Sequence, residues 1–523
     1  MWNPKKKSLH GRHKKDRRGH IGPRFLGSID ILFFGNYNEG IVVFVSAYQK
    51  GSFPMYQKQL EEYFEAHRDE MVEDICTLIR IPSTRQEPRD GMPFGEGPAK
   101  VLEAAMKIGC RMGMNVTDYD HYVATFDLNE KERGLDILAH LDVVPAGDDW
   151  TVTKPFEPKM VDGRLYGRGS ADDKGPAMAG LWAAKAVKDL KIPLSKNCRV
   201  ILGTDEESGS SDIAYYYQKE AEAPATFSPD ASFPVINVEK GSYSSDFTAR
   251  WAEEEKLPRI LSVKGGFRRN VIPDKAEAVL EGIRLEEVCA ACRSYGSKSG
   301  VSFEATEESG RVFVKATGRA AHASTPEVGA NAVTAMVEFL SQLPMAASEG
   351  FSKLCAVSRI FPHGDWAGEA AGVKMSDEVS GPLTIAFSVF EYHLTGLTGI
   401  FDSRVPLCAN EQNMRDVLAA AFDKEGIRLG NLNMRPGHYV PAESPFIQTL
   451  LRCYERYTGK KGECVAIGGG TYTHNLKNGV AFGCADPDPL VDNHMHGADE
   501  FAVIDQLILS AKIFAQAIIE ICQ

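Results

Sequence analysis

The spacing of apolar residues changes character several times along this chain. From Tyr56 to Leu78, and again from Gly97 to Met112, apolar positions recur at helical intervals. Leu135 to Val144 is instead a nearly continuous apolar run with β-branched residues, the pattern of a central strand buried on both faces. An Ala-rich helix from Gly175 to Leu190 and a strand from Arg199 to Leu202 follow. Strands separated by helices of this length predict βαβ units and a mostly parallel sheet, in which functional groups collect beyond the carboxyl ends of the strands. His140, Asp142, Glu206 and Glu207 fall at such ends.

After Val235-Ile236-Asn237-Val238 the chain becomes strand-rich. Tyr243 to Trp251, Ile260 to Val263, Ala276 to Leu280, Arg311 to Ala316 and Leu383 to Tyr392 read as strands, and Ala330 to Leu343 and Asn413 to Lys424 as helices. Ala276 to Ser294 also reads as a helix-like run, so its opening residues fit either element. From Ser444 the helix Phe446 to Tyr457 and a Gly-rich loop restore the earlier pattern. The expected fold is α/β. A discontinuous catalytic domain, residues 55–240 and 441–523, has a mostly parallel sheet flanked by helices, and an α+β domain at 241–440 is inserted into it.

Composition narrows the class. An apolar content of 43% is that of a globular protein with a full core, and the net charge of −12 hides an asymmetry. Met1 to Pro54 carries ten Lys/Arg against three Asp/Glu, so the acidity lies in the remainder, which disfavours nucleic acid as the main partner. Asp30, Asn36, Asn38 and Glu39 interrupt any membrane-spanning segment there, and no signal-peptide cleavage pattern is evident. Translation is expected to start at Met55, with the first 54 residues an over-long gene prediction. Eleven scattered cysteines do not form a disulfide framework and suit a reducing cytoplasm; Cys289 and Cys292 lack a second pair to complete a zinc site.

Five segments carry acidic or imidazole groups in settings unusual for surface residues: His140-x-Asp142, Asp172-Asp173, Asp205-Glu206-Glu207, Ser228-Pro229-Asp230 and His494-Met495-His496. Two apart on one side of a strand, His140 and Asp142 are candidates to face a metal. Together with HLDVVP, YGRGSADDKGP, TDEESGS, SPDASFP, GRAAHAS and GGGTY, these segments resemble a family of two-metal exopeptidases and deacylases. That family includes carboxypeptidase G, acetylornithine deacetylase and succinyl-diaminopimelate desuccinylase, and within it the similarity is to PepV-type and Sapep-type dipeptidases.

The resemblance implies a role for each matching residue. His140 and Asp230 would hold one metal, Glu207 and His496 the other, and Asp172 would bridge them through a residue whose peptide bond to Asp173 is cis. Asp142 would orient the His140 imidazole, and Glu206 would be the general base. His496 fits the family spacing, in which a His is followed two residues later by Asn or Asp and then Glu; His494 does not. Two divalent ions about 3.5 to 4 Å apart acidify a shared water and polarise the scissile carbonyl. Zn, Mn or Co all suit these ligands.

From the inserted lid, the resemblance implies that His322 donates to the tetrahedral oxyanion and that Asn270 and Arg404 hold the substrate. Gly468-Gly469-Gly470-Thr471-Tyr472 would approach the substrate's C-terminal carboxylate through backbone and hydroxyl donors, with Gly469, Gly470 and Thr471 in contact. Where the family pattern continues with Ala-Arg, this chain has Thr473-His474. The implied activity is hydrolysis of dipeptides by a monomer in the cytoplasm, with small peptides and two divalent metals per chain as its only partners. Deacylation of an N-acyl amino acid by the same site is the enzymatic alternative, and a metal-poor homologue that only binds peptides is the non-enzymatic one.

Overall fold

Alternation along one strand, Arg133–His140, sets the layers of the molecule. Leu135, Ile137 and Ala139 enter a large apolar core, whereas Leu138 enters a smaller cluster with Val123, Ile201 and Tyr472 on the opposite face. The neighbouring strand Asn197–Gly203 repeats the division, with Cys198, Val200 and Leu202 on the first side and Ile201 on the second. Such a strand has no polar face, which is why its sequence reads as a continuous apolar run.

The computed structural model describes residues 53–431, 434–485 and 492–523. In the larger sheet the strands run Asn115–Tyr119, Val123–Asp127, Asn197–Gly203, Arg133–His140, Thr226–Ser228, Gly479–Ala481, Val235–Glu239 and His438–Tyr439, with Cys464–Ile467 also beside Val235–Glu239. Pairing is parallel from Asn197–Gly203 through Gly479–Ala481 and between Cys464–Ile467 and Val235–Glu239; the other pairs are antiparallel. Helices Lys174–Asp189 and Ile504–Cys522 pack on the larger core. Phe514 of the latter meets Phe227 and Phe482, with ring centroids 5.1 and 5.8 Å away.

The second sheet has eight antiparallel strands, in the order Ser302–Glu308, Arg311–Thr317, Lys275–Glu281, Arg259–Gly265, Thr384–His393, Gly396–Val405, Gly241–Arg250 and Arg428–Leu429. It has a core of its own, including Phe247, Phe339, Phe387 and Phe401. This inserted α+β lid leaves the larger sheet after Glu239 and returns at His438, which pairs with Glu239. Strands from before and after the insertion share one sheet, so the catalytic domain is discontinuous.

Local differences from the sequence pattern have physical reasons. The apolar run from Leu135 continues to Val144, but the strand ends at His140, because from there the backbone turns to bring polar groups around the sheet end. The expected helix Tyr56 to Leu78 is two, Phe53–Ala66 and Arg68–Ile79, meeting at His67. The ambiguous stretch from Ala276 resolves into a strand, Lys275–Glu281, and a helix, Leu285–Ser299, which carries Cys289 and Cys292. The expectation of a start at Met55 concerns residues 1–54, of which 1–52 lie outside those described.

Candidate active site

His140 is the last residue of its strand, and three contacts fix it. Its amide donates to Asp173 Oδ2 at 3.0 Å. Its Nδ1 lies 3.0 Å from the backbone carbonyl of Asp142, which leaves Nε2 to face Asp172 Oδ1 at 3.0 Å and Asp230 Oδ2 at 3.6 Å. Asp230 follows the parallel strand Thr226–Ser228, so it arrives at the same sheet end. Asp172 precedes the helix Lys174–Asp189, and the Asp172–Asp173 peptide is cis.

Asp142 lies beyond the strand end rather than on its side. Its two carboxylate oxygens accept the amides of Glu206 and Glu207, each at 3.1 Å, at the start of the short 3-10 turn Glu206–Ser208. Asp142 thus joins two adjacent parallel strands: its carbonyl and, at 3.4 Å, its Oδ1 face His140 Nδ1, and the same carboxylate holds the turn bearing both glutamates. Among the described residues, no side chain donates a hydrogen bond to the Glu206 carboxylate.

The other imidazole comes from near the chain end. His496 Nε2 lies 3.0 Å from Asp172 Oδ2 and 3.2 Å from Glu207 Oε1. Asp172 therefore sits between two imidazoles, one on each oxygen. His494 turns its ring toward Phe501 instead, at a centroid distance of 6.0 Å. Ligand atoms of His140, Asp172 and Glu207 all fall within 4.8 Å of one another. This donor set of carboxylate oxygens and imidazole nitrogens fits divalent cations, with His140 and Asp230 on one side of Asp172 and Glu207 and His496 on the other.

Electrostatics show what such a cluster lacks. Burial, and then the neighbouring carboxylates, push Glu206, Glu207 and Asp230 above the ordinary carboxylate range, whereas His140 and His496 draw Asp172 below it against its own burial. Hydrogen bonds to Asp172 and Glu207 raise His496 to about 10, and for His140 the surrounding carboxylates outweigh the effect of burial and raise it as well. Clustered acids that can be quieted only by protons are a site short of positive charge.

Residues that the sequence pattern left without a role build the frame. Buried Glu500 accepts the amides of Gly169, Ala171 and Asp172 at 3.1, 2.9 and 3.2 Å and pairs with Arg168 at 2.6 Å, so it shapes the loop that presents Asp172. It stands within the segment His496-Gly497-Ala498-Asp499-Glu500, and that position is its only sequence signal. Asp173, expected only as the partner in a cis peptide, accepts the His140 amide. Glu239 had no signal at all, since nothing in an isolated acidic residue distinguishes a structural acceptor from a solvated one.

The lid reaches the site through His322. The Ser324 amide donates to His322 Nδ1 at 3.2 Å, which places the ring proton on Nε2 as a donor. Although the ring reaches the surface, crowding and then Arg404 hold the imidazole below its usual value, with His496 acting in the same direction and Asp402 opposing. Arg404 is occupied: Nε and Nη2 lie 3.0 Å from Asp402 Oδ2, and Nη1 donates to the Gly468 carbonyl at 2.7 Å. Asn270 lies beside this group, accepting the Ala323 amide on its backbone carbonyl at 2.9 Å. Gly468 must lack a side chain, because a Cβ there would fall 2.9 Å from that of Ser324.

The Gly-rich loop departs from its expected role in part. Gly469 faces open space, with only Ile467 within 4 Å of a would-be Cβ. Thr471, however, turns its amide and hydroxyl on buried Glu239, at 3.2 and 2.8 Å. His474 is packed too, with Nδ1 3.0 Å from Glu239 Oε2 and Nε2 2.9 Å from the Pro436 carbonyl. An internal carboxylate takes the donors that the pattern assigned to substrate.

The Asp172 carboxylate shared between His140 and His496 at the end of a parallel sheet is an arrangement suited to divalent cations and hydrolysis. Residues 137–520 match peptidase family M20/M25/M40, and the chain belongs to that family. It is 35% identical over 473 residues to the Beta-Ala-Xaa dipeptidase of Lactobacillus delbrueckii subsp. lactis, covering 88% of this chain and 98% of that one. It is also 35% identical over 462 residues to YtjP of Bacillus subtilis (strain 168), covering 87% and 98%. Among solved structures, human carnosine dipeptidase 1 shares the fold at a TM-score of 0.55 and 16% identity, covering 89% of this chain and 99% of that one.

Proposed function

We propose that this chain is a metal-dependent dipeptidase. The observation that carries the reading is the Asp172 carboxylate, shared between His140 at 3.0 Å and His496 at 3.0 Å. His140 and Asp230 would hold one divalent cation and Glu207 and His496 a second, with Asp172 common to both. Bound cations would supply Lewis acidity to the scissile carbonyl and an acidified water; Zn, Mn and Co all suit the donors.

The chain's own residues do the rest. Glu206, to which no side chain among the described residues donates and which burial draws above the usual carboxylate range, accepts a proton from the attacking water and returns it to the leaving amine. Asp142 keeps that glutamate in place through its amide. His322, with its proton fixed on Nε2, donates to the developing oxyanion, a contribution typically worth about 100- to 1000-fold. The lid, docked on the Gly-rich loop through Arg404 and Gly468, closes the space beyond the sheet end, which suits a short substrate and excludes a long one.

The full-length match to a Beta-Ala-Xaa dipeptidase supports the dipeptide reading over deacylation. We assign residues 55–240 and 441–523 to the catalytic domain and 241–440 to the lid, which supplies His322 in the same chain and suits a monomer. All eleven cysteines are free, which suits the cytoplasm; no helix among the described residues is long and apolar enough to cross a membrane. The direct test compares an unblocked dipeptide with an N-acetyl amino acid, before and after chelation and after adding back Zn or Mn. Dipeptide turnover lost on chelation and restored by metal is expected; turnover of the N-acetyl compound alone overturns the assignment.

A further inference from the structure

A carboxylate entering this site meets acidic walls. Asp172, Glu206, Glu207 and Asp230 surround the metal positions, and Glu239 lies behind the Gly-rich loop. A dipeptide's free C-terminus therefore needs a cation with unused donors. Arg404 has few to offer, because Asp402 neutralises it and two of its three nitrogens, while the third is on the Gly468 carbonyl. The donors of Thr471 and His474 are spent on Glu239 and Pro436.

One other guanidinium stands at this place. Arg435 Nη1 lies 3.6 Å from where a Cβ on Gly470 would be, so the group rests against the backbone of the Gly-rich loop. Its one side-chain hydrogen bond among the described residues is a long one, from Nη2 to Asn475 Oδ1 at 3.5 Å. The backbone beneath it is anchored. Amide and carbonyl of Arg435 bond those of Ser242 in both directions at 2.9 Å, and Gly241 permits this approach because a Cβ there would fall 2.5 Å from the Arg435 carbonyl oxygen. The side chain is exposed, and the charged groups close enough to act on it are Glu239, Glu206 and Arg404.

We infer that Arg435, held at the junction between lid and catalytic sheet, receives the substrate's C-terminal carboxylate against Gly469 and Gly470. It thereby stands in for the arginine that the family pattern places after the Gly-rich loop, where this chain has Thr473-His474. The inference rests on the dipeptidase reading above. Arg435 is a binding residue: it selects for a terminal carboxylate and takes no part in the proton transfers. Planar paired donors suit this task, and a lysine would recover it only in part.

The test compares alanyl-alanine with alanyl-alaninamide in the metal-loaded wild type and in Arg435→Met and Arg435→Lys. For the free dipeptide, kcat/KM is expected to fall about 10- to 100-fold in Arg435→Met, mainly through KM, with the amide within about threefold of wild type and Arg435→Lys intermediate. An unchanged preference for the free acid overturns the inference, and so does an equal loss on both substrates, which would mark a structural role. Calorimetric titration of Glu206→Gln with the same two compounds, with and without Arg435→Met, reads the contact without turnover. A wild type that hydrolyses neither compound sinks the dipeptidase reading; an unchanged dipeptide affinity in that titration sinks Arg435.

Discussion

Glu206 and Asp136 are both buried acids, yet their surroundings give them opposite meanings. Glu206, to which no side chain among the described residues donates, would face the proposed metal positions, so Glu206→Gln should keep the proposed ligands intact and remove the proposed base. Turnover is expected to fall by at least about 100- to 10,000-fold with metal content unchanged, checked by steady-state kinetics beside elemental analysis. Asp136 lies in the strand Arg133–His140, toward the end away from His140, fully buried, with Arg133 3.4 Å away. Burial, opposed by Arg133 and Arg199, raises it from 3.8 to about 7. Because the folded value lies above the unfolded one, the native state binds the extra proton, and stability falls as pH rises from about 4 to about 7. Asp136→Asn should remove that slope, so the variant gains on the parent by about 2–4 kcal/mol between pH 4 and pH 8 in urea unfolding. A difference independent of pH would show that this group does not titrate on folding.

At the scale of elements, periodicity was legible where one face decided the outcome. The helix predicted from Gly175 to Leu190 is observed as Lys174–Asp189, and the strand from Arg199 to Leu202 as Asn197–Gly203. Strand ends were less legible: Leu141 and Val143 are buried without belonging to the strand, so hydrophobicity alone overran its end. The residues brought together at the sheet end came from the resemblance of short motifs, since His496 lies more than three hundred residues from His140. What sequence could not foresee was competition for donors. Nothing in Gly-Gly-Gly-Thr-Tyr announces that Glu239 will claim Thr471. The helix Ile504–Cys522 closes the larger core, and its Phe514 sits among Phe227, Phe233 and Phe482. Phe514→Ala should cost about 3–5 kcal/mol, seen as a lower unfolding midpoint with the ligand residues unchanged.

Across the described residues, the larger sheet holds the proposed metal ligands at its end and the second sheet belongs to the proposed lid, and each has its own apolar core. The change from near-continuous apolar runs to alternating strands marked this division in the sequence, because the first sheet is covered on both faces and the strand Gly241–Arg250 alternates between buried and more exposed positions. The pairing of His438 with Glu239 carries a consequence beyond the present chemistry. Departure and return of the insertion are hydrogen-bonded neighbours, so in topological terms some two hundred residues hang from a single closed ring. Closing such a ring costs little more as it lengthens, about 0.6 kcal/mol for each doubling. The parent sheet can therefore exchange one cover for another of different size without re-pairing its own strands, and substrate range can diverge while the metal-holding end stays fixed.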